Sequence, residues 1–225
     1  HSIRRRQRQM CIRDRDGTLV DTAPDFKNSL NYMLSEMGEN PVELSDIRNW
    51  VGYGARELIK RTVVSKKIEH NEKKINEMLR IFLLHYTHNI DDDSVLYNNV
   101  ENFLRHLKKN NVKTSVCTNK MESLSIMLLE KLKVLDLFDY LVGGDTFRKC
   151  KPDPLPLINI CEKLNINTND AIMIGDSITD LKAGHAANMP VVLVDYGYTD
   201  DTSIYEHADL VINDFNQMKS LLNVE

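Results

Sequence analysis

The second half of the chain alternates short apolar runs with amphipathic helical patterns, and this alternation limits the possible folds more than any other feature of the sequence. Strands are predicted at 112–117, 140–142, 171–174, 191–194 and 210–212. Helical patterns separate these strands, so each pair must be joined by a crossover that leaves the strands parallel. The predicted fold class is therefore α/β, a doubly wound parallel sheet with a Rossmann-like core.

A helical region without any strand signal precedes this alternation. Helices are predicted near 22–38, 45–50, 55–64 and 69–88 from apolar residues at helical spacing. We expect residues 22–93 to form an all-helical insertion, and residues 16–21 and 94–225 to form the catalytic core. At the start of the insertion, Thr22 is predicted to cap the first helix, with Asp25 reaching back in a capping box.

Residues 1–15 form an atypical segment that is crowded with Arg and Gln. We expect this segment to be non-native and to end in the first core strand. A basic arm that binds nucleic acid is the alternative. A strand buried in a parallel sheet should be an apolar run, and a stretch that ends in Arg13 departs from that pattern.

Composition excludes several classes of partner. The 225-residue chain has a formal net charge of −4, which gives no general attraction to nucleic acid. It contains no run of about 18 apolar residues, so no membrane span is predicted. Its cysteines show no CxxC pairing, which favours reduced thiols and a cytoplasmic location. We expect a small anionic partner and a monomer or dimer.

The motif Asp14-Arg15-Asp16-Gly17-Thr18 sets two carboxylates two positions apart at the predicted end of the first strand. Further polar residues border other strands: Thr118 and Asn119 follow 112–117, Lys151 precedes Pro152, and Asp176 and Asp180 follow 171–174. The carboxyl ends of parallel strands share one edge of a sheet, where such folds bind their ligands. These motifs are therefore expected to converge.

Phosphoryl transfer is the chemistry that this assembly suits. Asp14 would attack phosphorus to form an aspartyl-phosphate. Asp16 would protonate the leaving alkoxide and then take a proton from the attacking water. Asp14, the backbone carbonyl of Asp16, and Asp176 offer the hard oxygen ligands that Mg²⁺ prefers.

The remaining polar residues are expected to bind the phosphoryl group. The turn at Gly17 would aim backbone N–H groups at the anion, and Thr118, the amide of Asn119 and Lys151 would bind phosphoryl oxygens. Asp180, one helical turn after Asp176, would orient Lys151 or the waters of the metal. Each residue alone has an ordinary structural role as a helix cap or a surface charge, and their combination favours a site.

The ordered set DxDGT, a strand ending in Thr-Asn, Lys-Pro-x-Pro and GDSxxDxxAG resembles the haloacid dehalogenase-like superfamily of aspartate-nucleophile hydrolases. The similarity runs from Asp14 to the C-terminus, and the helical insertion resembles that superfamily's cap domain. Finer strings, such as Thr118-Asn119-Lys120 and Gly143-Gly144-Asp145-Thr146, resemble bacterial phosphoglycolate phosphatases. The resemblance implies a Mg²⁺-dependent phosphatase with 2-phosphoglycolate as the favoured substrate. Arg13 and Arg15 stand where this family has apolar residues.

Substrate recognition is expected from the insertion. Tyr53 and Arg56 occupy the segment expected to face the site, and Arg56 would bind a substrate carboxylate unless it is an ordinary solvated arginine. A sugar-phosphate phosphatase or phosphomutase remains an alternative. An inactive phosphate- or metal-binding module is the alternative from another class, if the first strand is defective.

Overall fold

The computed structural model describes residues 10–48 and 50–219. Within these residues, a six-stranded sheet has the order β5-β4-β1-β6-β7-β8, and every neighbouring pair is parallel. Its strands are β1 (Met10–Arg13), β4 (Lys113–Cys117), β5 (Tyr140–Val142), β6 (Ala171–Gly175), β7 (Val191–Val194) and β8 (Leu210–Ile212). The short strands β2 (Val20–Asp21) and β3 (Val95–Leu96) form a separate antiparallel pair. The predicted α/β class with a parallel sheet is confirmed.

Helices cover the sheet and form the insertion. The helices of the insertion are α1 (Ala23–Glu36), α2 (Leu44–Arg48), α3 (Ala55–Ser65) and α4 (Glu72–His88). Those around the sheet are α5 (Val100–Lys109), α6 (Glu122–Lys131), α7 (Leu155–Leu164), α8 (Ile178–Ala186) and α9 (Asn216–Lys219). Among the described residues, no helix is both long and apolar enough to cross a lipid bilayer.

Strand β1 lies in the middle of the sheet, between β4 and β6, and all of its residues are buried. Side chains alternate between the two faces of a strand. Met10 and Ile12 join the apolar cluster that contains Leu157 of α7, whereas Cys11 joins the cluster on the opposite face. The segment predicted to be atypical thus supplies the central strand from residue 10 onward, and residues 1–9 lie outside the described residues.

The two ends of the insertion lie side by side, because β2 pairs with β3 through Val20–Leu96 and Asp21–Val95. Helices α1 and α4 pack through aromatic rings, with 4.8 Å between the centroids of Phe26 and Tyr86. The domain boundaries at 22 and 93 remain a prediction.

The predicted capping box at the start of α1 is wrong. Thr22 makes no capping hydrogen bond with its side chain; its hydroxyl instead donates to Asp16 Oδ1 at 2.7 Å. Asp25 accepts from the backbone N–H groups of Asp93 and Ser94, at 2.9 and 2.8 Å. Both side chains therefore form hydrogen bonds with residues outside α1 in place of the predicted capping bonds. The bonds to Asp25 join the start of α1 to the far end of the insertion.

Candidate active site

Three neighbouring strands deliver polar residues to one edge of the sheet. Asp14 follows β1, Thr118 follows β4 and Asp176 follows β6, and the three residues are at most 3% exposed. The backbone N–H of Asp14 still donates to the carbonyl of Ile174 at 2.9 Å, so the sheet holds this residue in place. The convergence expected from the parallel order is present in the structure.

A tight turn follows Asp14 and brings Gly17 against Asp176. The carbonyl of Arg15 accepts from the N–H groups of Leu19 and Val20, both at 3.0 Å. Gly17 has φ +77°, and a Cβ there would overlap the Asp176 carboxylate and lie 2.9 Å from the Tyr198 ring. The turn therefore requires glycine both for its dihedral angle and for space.

The carboxylate of Asp176 is held from two sides. Thr18 Oγ1 donates to Oδ1 and the backbone N–H of Tyr198 donates to Oδ2, both at 2.9 Å. Glycine at 197 also allows close approach, since a Cβ there would overlap Asp176. The orientation of Asp176 is thus set by the β1 turn and the loop after β7 together.

Lys151 connects the nucleophile candidate to the start of α8. Its Nζ lies 3.1 Å from Asp14 Oδ1 and 2.6 Å from Asp180 Oδ1, with the lysine side chain fully buried. Asp180 Oδ2 accepts from Ser177 Oγ at 2.6 Å, and the two residues form a capping box on α8. Asp180 therefore ties the position of Lys151 to the end of a helix.

Negative charge exceeds positive charge at this edge. Ligand atoms of Asp14, Asp176 and Asp180 lie within 4.8 Å of one another, and Lys151 is the cation paired with two of them. Burial raises the pKa of Asp14 to about 6, with Asp180 and Asp16 adding to the rise and Lys151 opposing it. Burial also raises the pKa of Asp176 well above its usual value, and Asp180 and Asp14 add to that rise.

This donor set fits a hard divalent cation, because buried carboxylate oxygens with uncompensated charge are what such ions bind. The predicted metal set was Asp14, Asp16 and Asp176, and the structure gathers the carboxylates of Asp14 and Asp176 with that of Asp180. The side chain of Asp16 is directed elsewhere, so only its backbone carbonyl, the atom predicted as a ligand, is free for that role.

Asp16 is held by Arg15, a contact that the sequence reasoning missed. Arg15 Nη2 donates to both carboxylate oxygens at 2.6 and 2.7 Å, and Arg15 is fully buried. Burial alone would raise the pKa of Asp16, but the charges of Arg15 and Lys120 and the hydrogen bonds from Arg15 and Thr22 outweigh it and lower that pKa. The sequence signal for this contact is the arginine that lies between Asp14 and Asp16.

Thr118 and Asn119 lie where β4 ends. The N–H of Thr118 donates to the carbonyl of Val142 at 3.0 Å. Asn119 Nδ2 donates to the carbonyls of Gly52 and Lys151, both at 3.0 Å. The Asn119 side chain thus connects the insertion to the Lys151 loop, which leaves the Thr118 hydroxyl and the backbone N–H of Asn119 as candidate phosphate ligands.

A cavity of about 70 Å³ lies between the core and the insertion. Asp14, Asp16, Thr118, Asn119 and Lys120 line its core side, and Phe26, Val51, Gly52, Gly54, Ala55, Leu58, Phe82, Leu83 and Tyr86 line its insertion side. A second cavity of about 40 Å³, with Tyr53 in its wall, borders Asp16 and Asp176. The space suits a small ligand enclosed by two parts of the chain.

Arg56 does not line either of these cavities. Its guanidinium donates to Asn76 Oδ1 at 2.7 Å and pairs with Glu72, both on α4. The expectation that Arg56 binds substrate is therefore not met, because acidic and amide groups on the neighbouring helix engage it at the surface. Tyr53, 41% exposed and covered by Arg61, remains beside the second cavity.

Comparisons with known proteins point in one direction. A family model described as haloacid dehalogenase-like hydrolase matches residues 11–194. A phosphoglycolate phosphatase from Psychrobacter arcticus is 40% identical over 196 residues, covering 85% of both chains. One from Agrobacterium fabrum is 38% identical over 206 residues, covering 92% of this chain and 88% of that protein. The crystal structure of a "predicted phosphoglycolate phosphatase" from Haemophilus somnus superposes with a TM-score of 0.91 at 29% identity, covering 95% of this chain and 97% of the other.

Proposed function

Because the chain belongs to the haloacid dehalogenase-like hydrolases and is a phosphatase, we propose that it is a Mg²⁺-dependent hydrolase of 2-phosphoglycolate that acts through an aspartyl-phosphate. The observation that carries this proposal is the position of Asp14. Its carboxylate borders the cavity at the end of the central strand, 3.1 Å from the ammonium of Lys151. The names of the relatives support the substrate, which would give glycolate and phosphate.

Asp14, Asp176 and the backbone carbonyl of Asp16 would hold Mg²⁺. When bound, the ion supplies positive charge that offsets the repulsion between a carboxylate nucleophile and an anionic phosphoryl group. Asp180 would act on this site through its contacts to Lys151 and to the start of α8.

The chain's own residues would carry the two chemical steps. Asp14 attacks phosphorus, so that a carboxylate–phosphorus bond forms while the ester phosphorus–oxygen bond breaks. Asp16 would have to enter this step protonated, against the lowering of its pKa by Arg15, and would give that proton to the leaving alkoxide, which departs as an alcohol. In the second step Asp16 takes a proton from water as that water attacks phosphorus, which releases phosphate and restores Asp14.

Charge on the transferring group would be stabilised by fixed donors. Lys151, the Thr118 hydroxyl and the backbone N–H of Asn119 would bind the phosphoryl oxygens. The N–H of Gly17, which the sequence also predicts for this role, instead donates to the carbonyl of Val20 at 3.0 Å. Lys151 is already held by Asp14 and Asp180, so little reorganisation is needed during the reaction. The helical insertion would act as the cap that closes over the substrate and excludes bulk water.

Phosphate release from a panel of small phosphomonoesters, with and without Mg²⁺, tests the proposal. We expect the highest kcat/KM for 2-phosphoglycolate, loss of activity with a chelator, and recovery on adding Mg²⁺. Asp14→Asn should abolish release. Asp136→Asn, at a side chain that is 68% exposed, is the matched control and should keep full activity. A preference for hexose phosphates, or an isomerised sugar phosphate as product, would instead identify a sugar-phosphate phosphatase or a mutase.

A second candidate function is binding of phosphate and a cation without turnover. The buried ion pair between Arg15 and Asp16 favours it, because a carboxylate held at both oxygens is a poor proton carrier. Absence of release from every ester by a folded sample, together with Mg²⁺-dependent phosphate binding by calorimetry, would establish it.

A further inference from the structure

Lys120 is a buried cation in the wall of the larger cavity. Its ammonium lies 4.0 Å from the ring centroid of Tyr86 and 4.6 Å from that of Phe26, and it donates to the Tyr86 hydroxyl. The residue is only 8% exposed. The rings and the hydroxyl replace part of its lost hydration.

No carboxylate of the described residues lies within 4.0 Å of the Lys120 ammonium, in contrast to Lys151 with its two carboxylate partners. Burial and the charge of Arg15 lower the pKa of Lys120 well below its ordinary value, so its charged form is unfavourable until an anion binds beside it. On the insertion side the cavity wall, including Leu58 and Phe82, is apolar, and Asp25 acts on Lys120 only from beyond 4.0 Å. The missing partner is therefore expected from a ligand in the cavity.

Charge divides the site into two poles. At the acidic pole, the carboxylates of Asp14, Asp176 and Asp180 cluster, and Lys151 pairs with Asp14 and Asp180, which gives these four groups a formal net charge of minus two. A divalent cation balances that charge.

At the basic pole, Arg15 and Lys120 both act on the carboxylate of Asp16, and Asp25 acts on Lys120 from beyond 4.0 Å. Asp14 and Lys120 line the same cavity. A small ligand with its phosphoryl group at Asp14 therefore meets, at its other end, a lysine that has no carboxylate of the described residues within 4.0 Å.

We propose that Lys120 selects substrates by binding a carboxylate at the end opposite the phosphoryl group. This inference rests on the proposed function and assigns the residue that recognises the carboxylate of the proposed substrate. A sugar phosphate presents several hydroxyl groups that each need a partner, whereas this wall offers one ammonium and one phenol among apolar side chains. The residue that binds the substrate carboxylate then belongs to the core, and Arg56 is not needed for this contact.

The test compares 2-phosphoglycolate with 2-hydroxyethyl phosphate, which carries a CH₂OH group in place of the carboxylate. Lys120→Met keeps a long side chain and removes the charge. We expect kcat/KM for 2-phosphoglycolate to fall by about 10- to 100-fold, the size of a lost hydrogen bond between charged groups, with less than about a threefold change for the hydroxyethyl ester. Lys113→Met, at an exposed lysine paired with Asp139, is the matched control and should change neither value.

Equal losses for the two esters, or no loss for either, would overturn the role of Lys120 while leaving the phosphatase function intact. Should Lys120→Met fail to fold, the wild-type chain still decides: its KM for 2-phosphoglycolate must lie at least about tenfold below that for the hydroxyethyl ester, and similar values overturn the inference. No phosphate release by the wild-type chain from any ester overturns the proposed function, and this inference with it.

Discussion

Arg15 holds both carboxylate oxygens of Asp16 through one guanidinium nitrogen, at 2.6 and 2.7 Å, inside the protein. The Thr22 hydroxyl also donates to Asp16 Oδ1, so both oxygens of the group that would carry protons already accept hydrogen bonds. Arg15 favours the ionised form of Asp16 and therefore opposes the protonated form that would serve the leaving group.

Replacing Arg15 is therefore expected to speed the reaction. Arg15→Met should raise kcat for the best ester by about three- to tenfold, a fraction of the roughly 10²- to 10⁴-fold that a positioned proton carrier contributes. Steady-state phosphate release at saturating substrate measures it. Arg13→Met changes the other arginine of this segment, which has no contact with Asp16, and should leave kcat unchanged. An unchanged or lower kcat in folded Arg15→Met would show that the ion pair does not restrain Asp16.

Arg13 is expected to destabilise the fold. It is fully buried, and its Nε and Nη2 have no hydrogen-bond partner among the described residues. Its contacts there are a 3.4 Å hydrogen bond to the Cys11 carbonyl and a position 5.1 Å from the centroid of the Phe103 ring. Arg13→Leu should raise the free energy of unfolding by about 1–4 kcal/mol, as measured by urea denaturation, because a buried charge is replaced by an apolar side chain.

Arg105→Leu provides the comparison for Arg13. Arg105 lies on α5 in an exposed ion pair with Glu101, so its replacement should change the free energy of unfolding by no more than about 0.5 kcal/mol. A destabilised Arg13→Leu variant would mean that the guanidinium has favourable contacts worth more than its burial costs.

The sheet could be predicted from the sequence because its strands are apolar runs of strand length with polar residues directly after them. The predicted bounds of β5, β7 and β8 equal the observed ones. The first strand was the difficult one, since Arg13 breaks the apolar pattern that a central strand normally shows. Its place between β4 and β6 depends on pairing partners more than 90 residues away, which local pattern does not encode.

The sequence predicts the site residues that directly follow the strands, because the carboxyl ends of parallel strands lie at one edge of the sheet. The gathering of Asp14, Thr118 and Asp176 follows from the parallel order, because each directly follows one of three neighbouring strands. The contact of Arg15 with Asp16 and the burial of Lys120 depend on side-chain direction and on how the insertion packs, so no spacing rule reveals them. Arg56 was predicted from its residue type and position to bind a substrate carboxylate, but it pairs with Glu72 on the neighbouring helix instead.

Gly17 and Gly38 both have a left-handed backbone, but only Gly17 is closely packed, so alanine variants at the two positions distinguish backbone strain from steric overlap. The φ angles are +77° and +72°, but a Cβ at 17 would overlap Asp176 whereas a Cβ at 38 has no atom within 4 Å. Both alanine variants should lose about 1 kcal/mol of stability from backbone strain. Gly17→Ala should in addition lose at least about 100-fold in kcat/KM, because a displaced carboxylate misplaces the reacting groups.

Thermal unfolding and phosphate release, measured on the two glycine variants in parallel, test this expectation. Gly38→Ala should retain wild-type kcat/KM. If Gly17→Ala were equally active, Asp176 could shift without consequence, and its role beside Asp14 would be refuted.

Asp180 joins two functions that can be separated by substitution. One oxygen contacts Lys151 at 2.6 Å, and the other accepts from Ser177 in the capping box of α8. Asp180→Asn removes the charge that holds Lys151, and kcat should fall by about 10- to 100-fold, as for other residues that orient the groups of a metal site.

Ser177→Ala removes the other half of the capping box, which should lower the free energy of unfolding by about 1 kcal/mol. Its kcat should stay near the wild-type value, because Lys151 keeps its carboxylate partner. Equal losses of kcat in the two variants would instead mean that a rigid helix start, and not the ion pair, positions Lys151.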